Sequence, residues 1–251
     1  MGIESFVDRL GGVSIDRVDL TDADLSGAVT ADWNVHESRF TNCDFSRSRG
    51  EFCFGSGREM SEYVDCRFDH SRISAVTAGR ARFIRCSFRD VLITKWLSSE
   101  VEILDCTFSG KIREMSFRAD VPSEDQALLG RARNRFERND LSRAELKGVA
   151  FSGGVDLQNQ ILPTGDGYVL VERADVVLPA VFTEVSGWPD SAVKKAVMTP
   201  LTVQLKWYVG YGQRQVLFSP LDWISRDGTK EQAYKALLPL LHKHAIRASS
   251  E

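Results

Sequence analysis

Through most of the first half of this chain an apolar or small residue falls at every fifth position, with polar residues between. Taking that residue as a centre gives Ile15, Leu20, Leu25, Thr30, Val35, Phe40, Phe45 and Gly50. After a three-residue insertion the phase resumes at Tyr63, Phe68, Ile73, Ala78, Phe83, Phe88, Ile93, Ser98, Ile103 and Phe108. Two residues before the centres stand mostly smaller partners, among them Val18, Ala23, Ser38, Ser48 and Ser71. A period of five is neither the 3.6 of a helix nor the 2 of a strand. A chain that turns a corner every five residues returns to the same side after four corners. Successive coils then stack at the strand spacing of about 4.8 Å. Like falls on like: Cys43-x-Phe45, Cys66-x-Phe68, Cys86-x-Phe88 and Cys106-x-Phe108 recur at intervals of 23, 20 and 20 residues. The spacing predicts one inner column of Phe and one of Cys. No coil can bury a core alone, so stability must come from neighbours.

These fives resemble the pentapeptide-repeat family, whose pattern is roughly Ala-Asp/Asn-Leu-x-x. The best matches are Val18-Asp19-Leu20-Thr21-Asp22, Ala23-Asp24-Leu25-Ser26-Gly27, Asn139-Asp140-Leu141-Ser142-Arg143 and Ala144-Glu145-Leu146-Lys147-Gly148. The resemblance covers residues 13–118 and 139–157. It implies a right-handed four-sided parallel β-helix, so the expected fold is mainly β, with an inserted helix and a small α+β C-terminal region. Well-understood family members bind type II topoisomerases by resembling B-form DNA, and they dimerise through a C-terminal cap. The resemblance therefore implies a non-enzymatic protein-interaction protein: a DNA-mimicking modulator or protector of DNA gyrase, with a homodimer as the expected assembly and no cofactor. The alternative is a scaffold or accessory module whose C-terminal region binds a partner or a small ligand.

The order along the chain is then as follows. Residues 1–12 are expected to cap the open first coil, because a bare coil end invites pairing. Residues 13–118 form the β-helix, with residues 51–62 projecting as a loop. Residues 119–138 read as a helical insertion, with Ser123 and Gln126 spaced as a capping pair. Ala127, Leu128, Ala132 and Phe136 would be its apolar face, and Arg131, Arg133, Arg135 and Arg138 its solvated one. Residues 139–159 return to the repeat as a further coil. The period is lost over 160–251. Tyr168 to Arg173 suits a strand, and Pro189, Asp190 and Ser191 open a helix through Met198. Leu201, Val203, Leu205, Trp207 and Val209 alternate with polar residues, which predicts a strand turning at Gly210–Gly212 into a second strand, Gln215 to Ser219. Thr229 and Gln232 would cap a last helix over 230–246.

Charge changes this picture in one respect. The repeat region 13–118 holds 17 acidic and 15 basic residues, too balanced for a uniform DNA mimic. Only its first part is acidic, and Asp16, Asp19, Asp22, Asp24, Asp32, Glu37 and Asp44 are the candidate partner-binding face. Arg67, Arg72, Arg80, Arg82, Arg85 and Arg89 predict a basic flank further along. A net charge of -3 does not suggest direct binding of nucleic acid. The start of the chain lacks a basic region and an apolar run, and no apolar stretch approaches the roughly 20 residues that span a bilayer. The sequence thus predicts a cytoplasmic protein.

Candidate chemistry is sparse. No phosphate-binding loop, dinucleotide fingerprint or hydrolase motif is present, so no catalytic residue is named. Cys43, Cys66, Cys86 and Cys106 are expected as reduced core thiols rather than metal ligands, and Cys53 as the most accessible thiol. His36 and His70 occupy outward positions, and His242 and His244 lie near the end of the last helix, where cations suit the dipole. Trp33 and Trp96 are expected in the core. Trp188, Trp207, Tyr208, Tyr211 and Trp223 make the C-terminal region rich in aromatics.

Overall fold

The structure, a computed structural model, describes residues 12–75, 78–165 and 167–248. The chain divides into two compact units. The first runs to Ala150 and takes in Gln158–Pro163; the second comprises Phe151–Leu157 and the chain from Thr164 onward. Except for Gly12, the cap expected at 1–12 lies outside the described residues.

The first unit is a parallel β-solenoid of about five turns. Parallel pairing recurs at four places in the first coil: Ile15 with Val35, Leu20 with Phe40, Asp24 with Asp44, and Val29 with Arg49. The second row is six strands deep, through Asp19–Thr21, Arg39–Thr41, Ser61–Val64, Ala81–Ile84, Glu102–Leu104 and Phe136–Glu137. Many corners fall two residues after a centre, in left-handed backbone: φ is 46° at Arg17, 54° at Asp22 and Asn42, 55° at Asp65 and 53° at Arg85. That region costs most side chains about 1–2 kcal/mol, and Asp and Asn less than most. The cost recurs turn after turn, so the stacked interior must offset it.

The interior is aromatic. Phe45, Phe68, Phe88 and Phe108 stack with ring centroids 4.8, 4.7 and 4.8 Å apart and planes within 5°. A second column, Phe40, Tyr63 and Phe83, stacks at 5.0 and 4.7 Å. It meets the first edge to face, as at Phe40–Phe45 (5.2 Å) and Phe83–Phe88 (5.6 Å). Offset stacking and edge contacts are the arrangements an aromatic quadrupole favours.

The projecting loop expected over 51–62 is not seen. Arg49–Ser56 is a strand and Ser61–Val64 the next, leaving only residues 57–60 outside them. A register shift in that strand brings both Phe52 and Phe54 inside. Phe54 stacks on Trp96 at 5.0 Å, and Tyr63 Oη donates to the Phe54 carbonyl at 2.9 Å. Phe52 and Phe54 are apolar, and burying them outweighs projecting the segment as a loop. Ala75 and Ala78 are fully buried, and the Phe54 amide donates to the Ala78 carbonyl at 2.9 Å. Gly55 and Gly79 pair directly. A Cβ on Gly55 would sit 1.9 Å from the Arg80 carbonyl oxygen, so no other residue fits there.

The helical insertion is shorter than expected. Helix α1 spans only Ser123–Leu129 and ends at Gly130 in left-handed conformation. Its N-cap is Pro122, and the predicted capping pair does not form: Gln126 Nε2 donates instead to the Val121 carbonyl at 3.0 Å. Arg131, Arg133, Arg135 and Arg138 all lie beyond its end, so they make no helix face. After it, Asp140–Lys147 pairs with Thr107–Arg113 and the coil resumes.

The second unit packs three helices, α2 (Ala174–Ser186), α3 (Ala192–Val203) and α4 (Thr229–Ala248), with the antiparallel strands Val169–Val171 and Val216–Phe218. Its core gathers Val177, Leu178, Val181, Val197, Leu201, Ala233, Leu237 and Leu241. Ser191 caps α3, its Oγ accepting from Lys194 N at 3.0 Å. The predicted strand over 201–209 is helical: α3 passes into a π-helical turn, Gln204–Tyr208, then a 3-10 turn, Val209–Tyr211. The predicted hairpin is absent with it, and the strand Val216–Phe218 pairs with Val169–Val171 instead. The start of α4 is tied by Asp227 Oδ1, which accepts from Thr229 N at 3.1 Å, rather than by a Thr229–Gln232 pair. Among the described residues no helix is long and apolar enough to cross a membrane.

Candidate interaction surface

The positions two residues before the centres carry a polar column that closes the shaft. The backbone amide there donates along the axis to a side chain on the next coil: Val18 N to Ser38 Oγ at 3.1 Å, Ser38 N to Ser61 Oγ at 3.2 Å, and Ser48 N to Ser71 Oγ at 3.1 Å. At the cysteine corner, Cys86 N donates to Cys106 Sγ at 3.3 Å and Cys106 N to Asn139 Oδ1 at 3.0 Å. Asn139 N then donates to Gln160 Oε1 at 2.9 Å. The thiols also donate: Cys86 Sγ to the Tyr63 carbonyl at 3.3 Å and Cys106 Sγ to that of Leu104 at 3.3 Å. Ser, Cys, Asn and Gln fit here because each offers an acceptor to an amide sealed from water. Treating Cys43, Cys66, Cys86 and Cys106 as small hydrophobes misses that role. The Cys–Ser–Asn interchange at one phase of the repeat was its signal. Burial holds the Cys86 thiol well above its ordinary range, so it stays protonated. Cys53 is the least buried thiol, and burial raises its pKa too.

The outer surface is organised by the same stacking. Side chains 20 residues apart, or more where the coil carries an insertion, sit one coil apart, and their charges alternate. Arg39 pairs with Glu62 at 2.6 Å, Glu62 with Arg82 at 3.0 Å, and Arg82 with Glu102 at 2.6 Å. Glu102 is itself buried, and it also accepts from Arg135 N at 3.2 Å. Arg80–Glu100 (2.7 Å), Arg85–Asp65 (2.7 Å), Arg138–Asp105 (2.6 Å) and Arg67–Asp44 (2.6 Å) repeat the theme. The Arg85 and Arg138 guanidiniums hold Asp65 and Asp105 below the usual carboxylate range. The predicted basic flank is thus largely neutralised: Arg67, Arg80, Arg82 and Arg85 each face a carboxylate on an adjacent coil. Arg72 differs, lying opposite Arg49 in the strand register. The signal was legible as opposite signs one coil apart, at i and i+20, or i+23 and i+33 where residues are inserted, which a count of charges per segment cannot show.

The seven acidic candidates do not share one row. Asp16 sits 3.0 Å from His36 Nδ1, Asp22 accepts from Asn42 Nδ2 at 2.6 Å, and Asp24 and Asp44 occupy a third row. Asp32 lies on the strand Val29–His36, where its backbone amide donates to Thr30 Oγ1. Two of them, Asp19 and Glu37, meet in a groove of about 640 Å³ with Arg17, Val18, Arg39, Glu59, Met60 and Glu62. Glu59 and Met60, at the end of the segment 57–60, form one wall. Arg58 N and Glu59 N donate to Glu37 Oε1 at 2.8 and 3.4 Å, and Arg80 donates to the Gly57 carbonyl at 2.8 Å. The Arg58 and Glu59 amides and Arg17 hold Glu37 below the ordinary carboxylate range. Within the groove, Asp19 and Glu59 form no ion pair with any described residue. Carboxylates therefore outnumber guanidiniums on a pinned, partly apolar surface.

Elsewhere, His244 Nε2 and Lys243 Nζ both contact Glu184, each at 2.8 Å. Among the described residues no group of three or more His, Cys, Asp or Glu could hold a metal ion. No protein-family model and no curated protein matches this chain. Among solved structures, QnrB1, a plasmid-mediated fluoroquinolone resistance protein studied after trypsin treatment, is similar at 15% identity, covering 62% of this chain and 84% of that one, with a TM-score of 0.19. At that TM-score the likeness carries no inference about function.

Proposed function

We propose that this protein acts by binding another protein and catalyses no reaction of its own. One observation carries the reading: the groove beside residues 57–60 is open, pinned by hydrogen bonds to and from its backbone, and holds the carboxylates of Asp19 and Glu59, which form no ion pair with any described residue. Such a surface complements a basic patch, and rigidity lowers the entropy cost of docking. The pentapeptide-repeat resemblance narrows the proposed partner to a type II topoisomerase, DNA gyrase first, with protection from a poison as the activity. The charge ladders restrict how this works. Most flank charges are spent on neighbouring coils, so the contact is the groove rather than a uniformly DNA-like coat. A cytoplasmic location and a homodimer belong to the same proposal.

A supercoiling assay with gyrase, with and without a quinolone, tests it. Micromolar protein is expected to change supercoiling or its inhibition. Asp19→Lys with Glu59→Lys is expected to abolish that effect without changing the melting temperature. If the unaltered protein changes neither supercoiling nor inhibition, the gyrase reading is wrong.

A second reading places the binding on the second unit. Val203, Trp207 and Tyr211, 41%, 52% and 57% exposed, follow one another at four-residue intervals, and the two rings lie parallel at 6.2 Å. Replacing both rings by Ala in the full chain separates the readings: capture of the partner is lost only if this stripe does the work.

A further inference from the structure

The second unit contains a cavity that the groove proposal does not use, of about 460 Å³. That volume lies within the range of small-molecule sites. Ala196 and Pro200 of α3 and the buried Trp223 supply its apolar lining. Trp223 is held in place by stacking on Tyr234 at 5.1 Å, so this wall is firm. Lys195 on α3 and Lys230 in the first turn of α4 stand in the same lining. Val197 and Leu201 of α3 share a core with Ala233 and Leu237 of α4, which fixes the two lysine-bearing helices against each other. Neither ammonium has an ion pair among the described residues, whereas Lys194 and Lys243 on the same helices do. Asp222 also lines the cavity, which leaves a net single positive charge.

We infer that this cavity binds an amphipathic anion. Its apolar body lies against Ala196, Pro200 and Trp223, and its anionic head lies between Lys195 and Lys230. Apolar burial supplies the affinity, and the two lysines select a charged head over a neutral one. The site stands independently of the groove and of any topoisomerase.

Isothermal titration of the full chain with sodium decanoate tests this, with decanol as the neutral counterpart. Saturable one-to-one binding of decanoate below about 1 mM is expected, tighter than that of decanol. Lys195→Ala with Lys230→Ala is expected to weaken decanoate roughly tenfold and to leave decanol unchanged. Both lysines are exposed, so this variant keeps the parent melting temperature. Ala196→Trp fills the cavity and is expected to abolish binding of both. The inference is overturned if decanoate does not saturate, if the double-lysine variant binds it as tightly as the parent, or if Ala196→Trp still binds in a protein that melts normally.

Discussion

The two units reach a buried core by opposite routes. In the solenoid each residue's neighbours follow from the coil length, 20 residues plus any insertion, so columns of identical or complementary side chains follow directly from the sequence. In the second unit the core joins Val177 and Val181 of α2, Val197 and Leu201 of α3, and Leu237 and Leu241 of α4. No repeat relates them. The difference shows that a period carries packing information as well as secondary structure. Where it exists, even the ion pairs can be found by counting; where it does not, only local patterns remain, and these can fit two elements at once.

The comparison can be broken at its tightest point. Gly55→Val places side-chain carbon against the Arg80 carbonyl, where even a Cβ has only 1.9 Å. It should cost more than about 4 kcal/mol and unfold the solenoid, read as loss of its thermal transition. Next in size, Phe68→Ala removes a ring stacked at 4.8 and 4.7 Å on both sides. A loss of roughly 3–4 kcal/mol in denaturant unfolding is expected, because a stacked shaft cannot collapse onto the cavity. Leu237→Ala in the second unit should cost less, about 2–3 kcal/mol, if its irregular core relaxes more easily. Equal losses at the two sites would remove the proposed distinction.

Asn139→Leu comes third. It leaves the Cys106 amide and the Ile103 carbonyl without the partners they have at 3.0 Å each. The expected cost is about 2 kcal/mol, from two buried groups losing their bonds. Chemical denaturation of this variant beside Cys106→Ser, which keeps an acceptor, would separate the polar role from volume.

The smallest effect concerns the outer ladders. Arg85→Ala should lower the melting temperature only slightly, because its pair with Asp65 is exposed. Asp65 and Asp105 are held below the ordinary value of 3.8 by hydrogen bonds from Arg85 and Arg138. A depressed carboxylate stabilises the fold above its unfolded value, and that stability drains away as pH falls through the lower folded value. Melting of the solenoid should therefore fall below about pH 4, less steeply in high salt. An unchanged melting temperature from pH 7 to 2 would show that the ladders contribute nothing.

Much of the solenoid was legible in the residues. The Cys-x-Phe spacing located the shaft, and the return of the five-residue phase at Leu141 and Leu146 located the resumed coil. The insertion breaks the phase, and a break in phase looks like a loop in the sequence. Phe52 and Phe54 are apolar enough to enter the shaft instead. The acidic end and basic flank were read as blocks, whereas Arg39, Glu62, Arg82 and Glu102 show that the relevant order runs across coils. In the second unit, Leu201, Leu205 and Val209 satisfy a period of two and a spacing of four together. The structure takes the helical option: these three join the core, while Val203 and Trp207 between them stay exposed. Helix α2 is not marked out in the sequence, because its Val-rich run suits strands as well as helices. The groove needed the fold to bring Asp19 and Glu59 together, 40 positions apart in the chain.

Amide hydrogen exchange at Cys106 tests the stacked, side-chain-closed shaft most directly. The amide should be among the slowest in the chain, and Asn139→Leu should speed it selectively while the Leu237 amide keeps its rate. Exchange of Cys106 in the parent protein as fast as that of an exposed loop amide without a hydrogen bond would contradict the account.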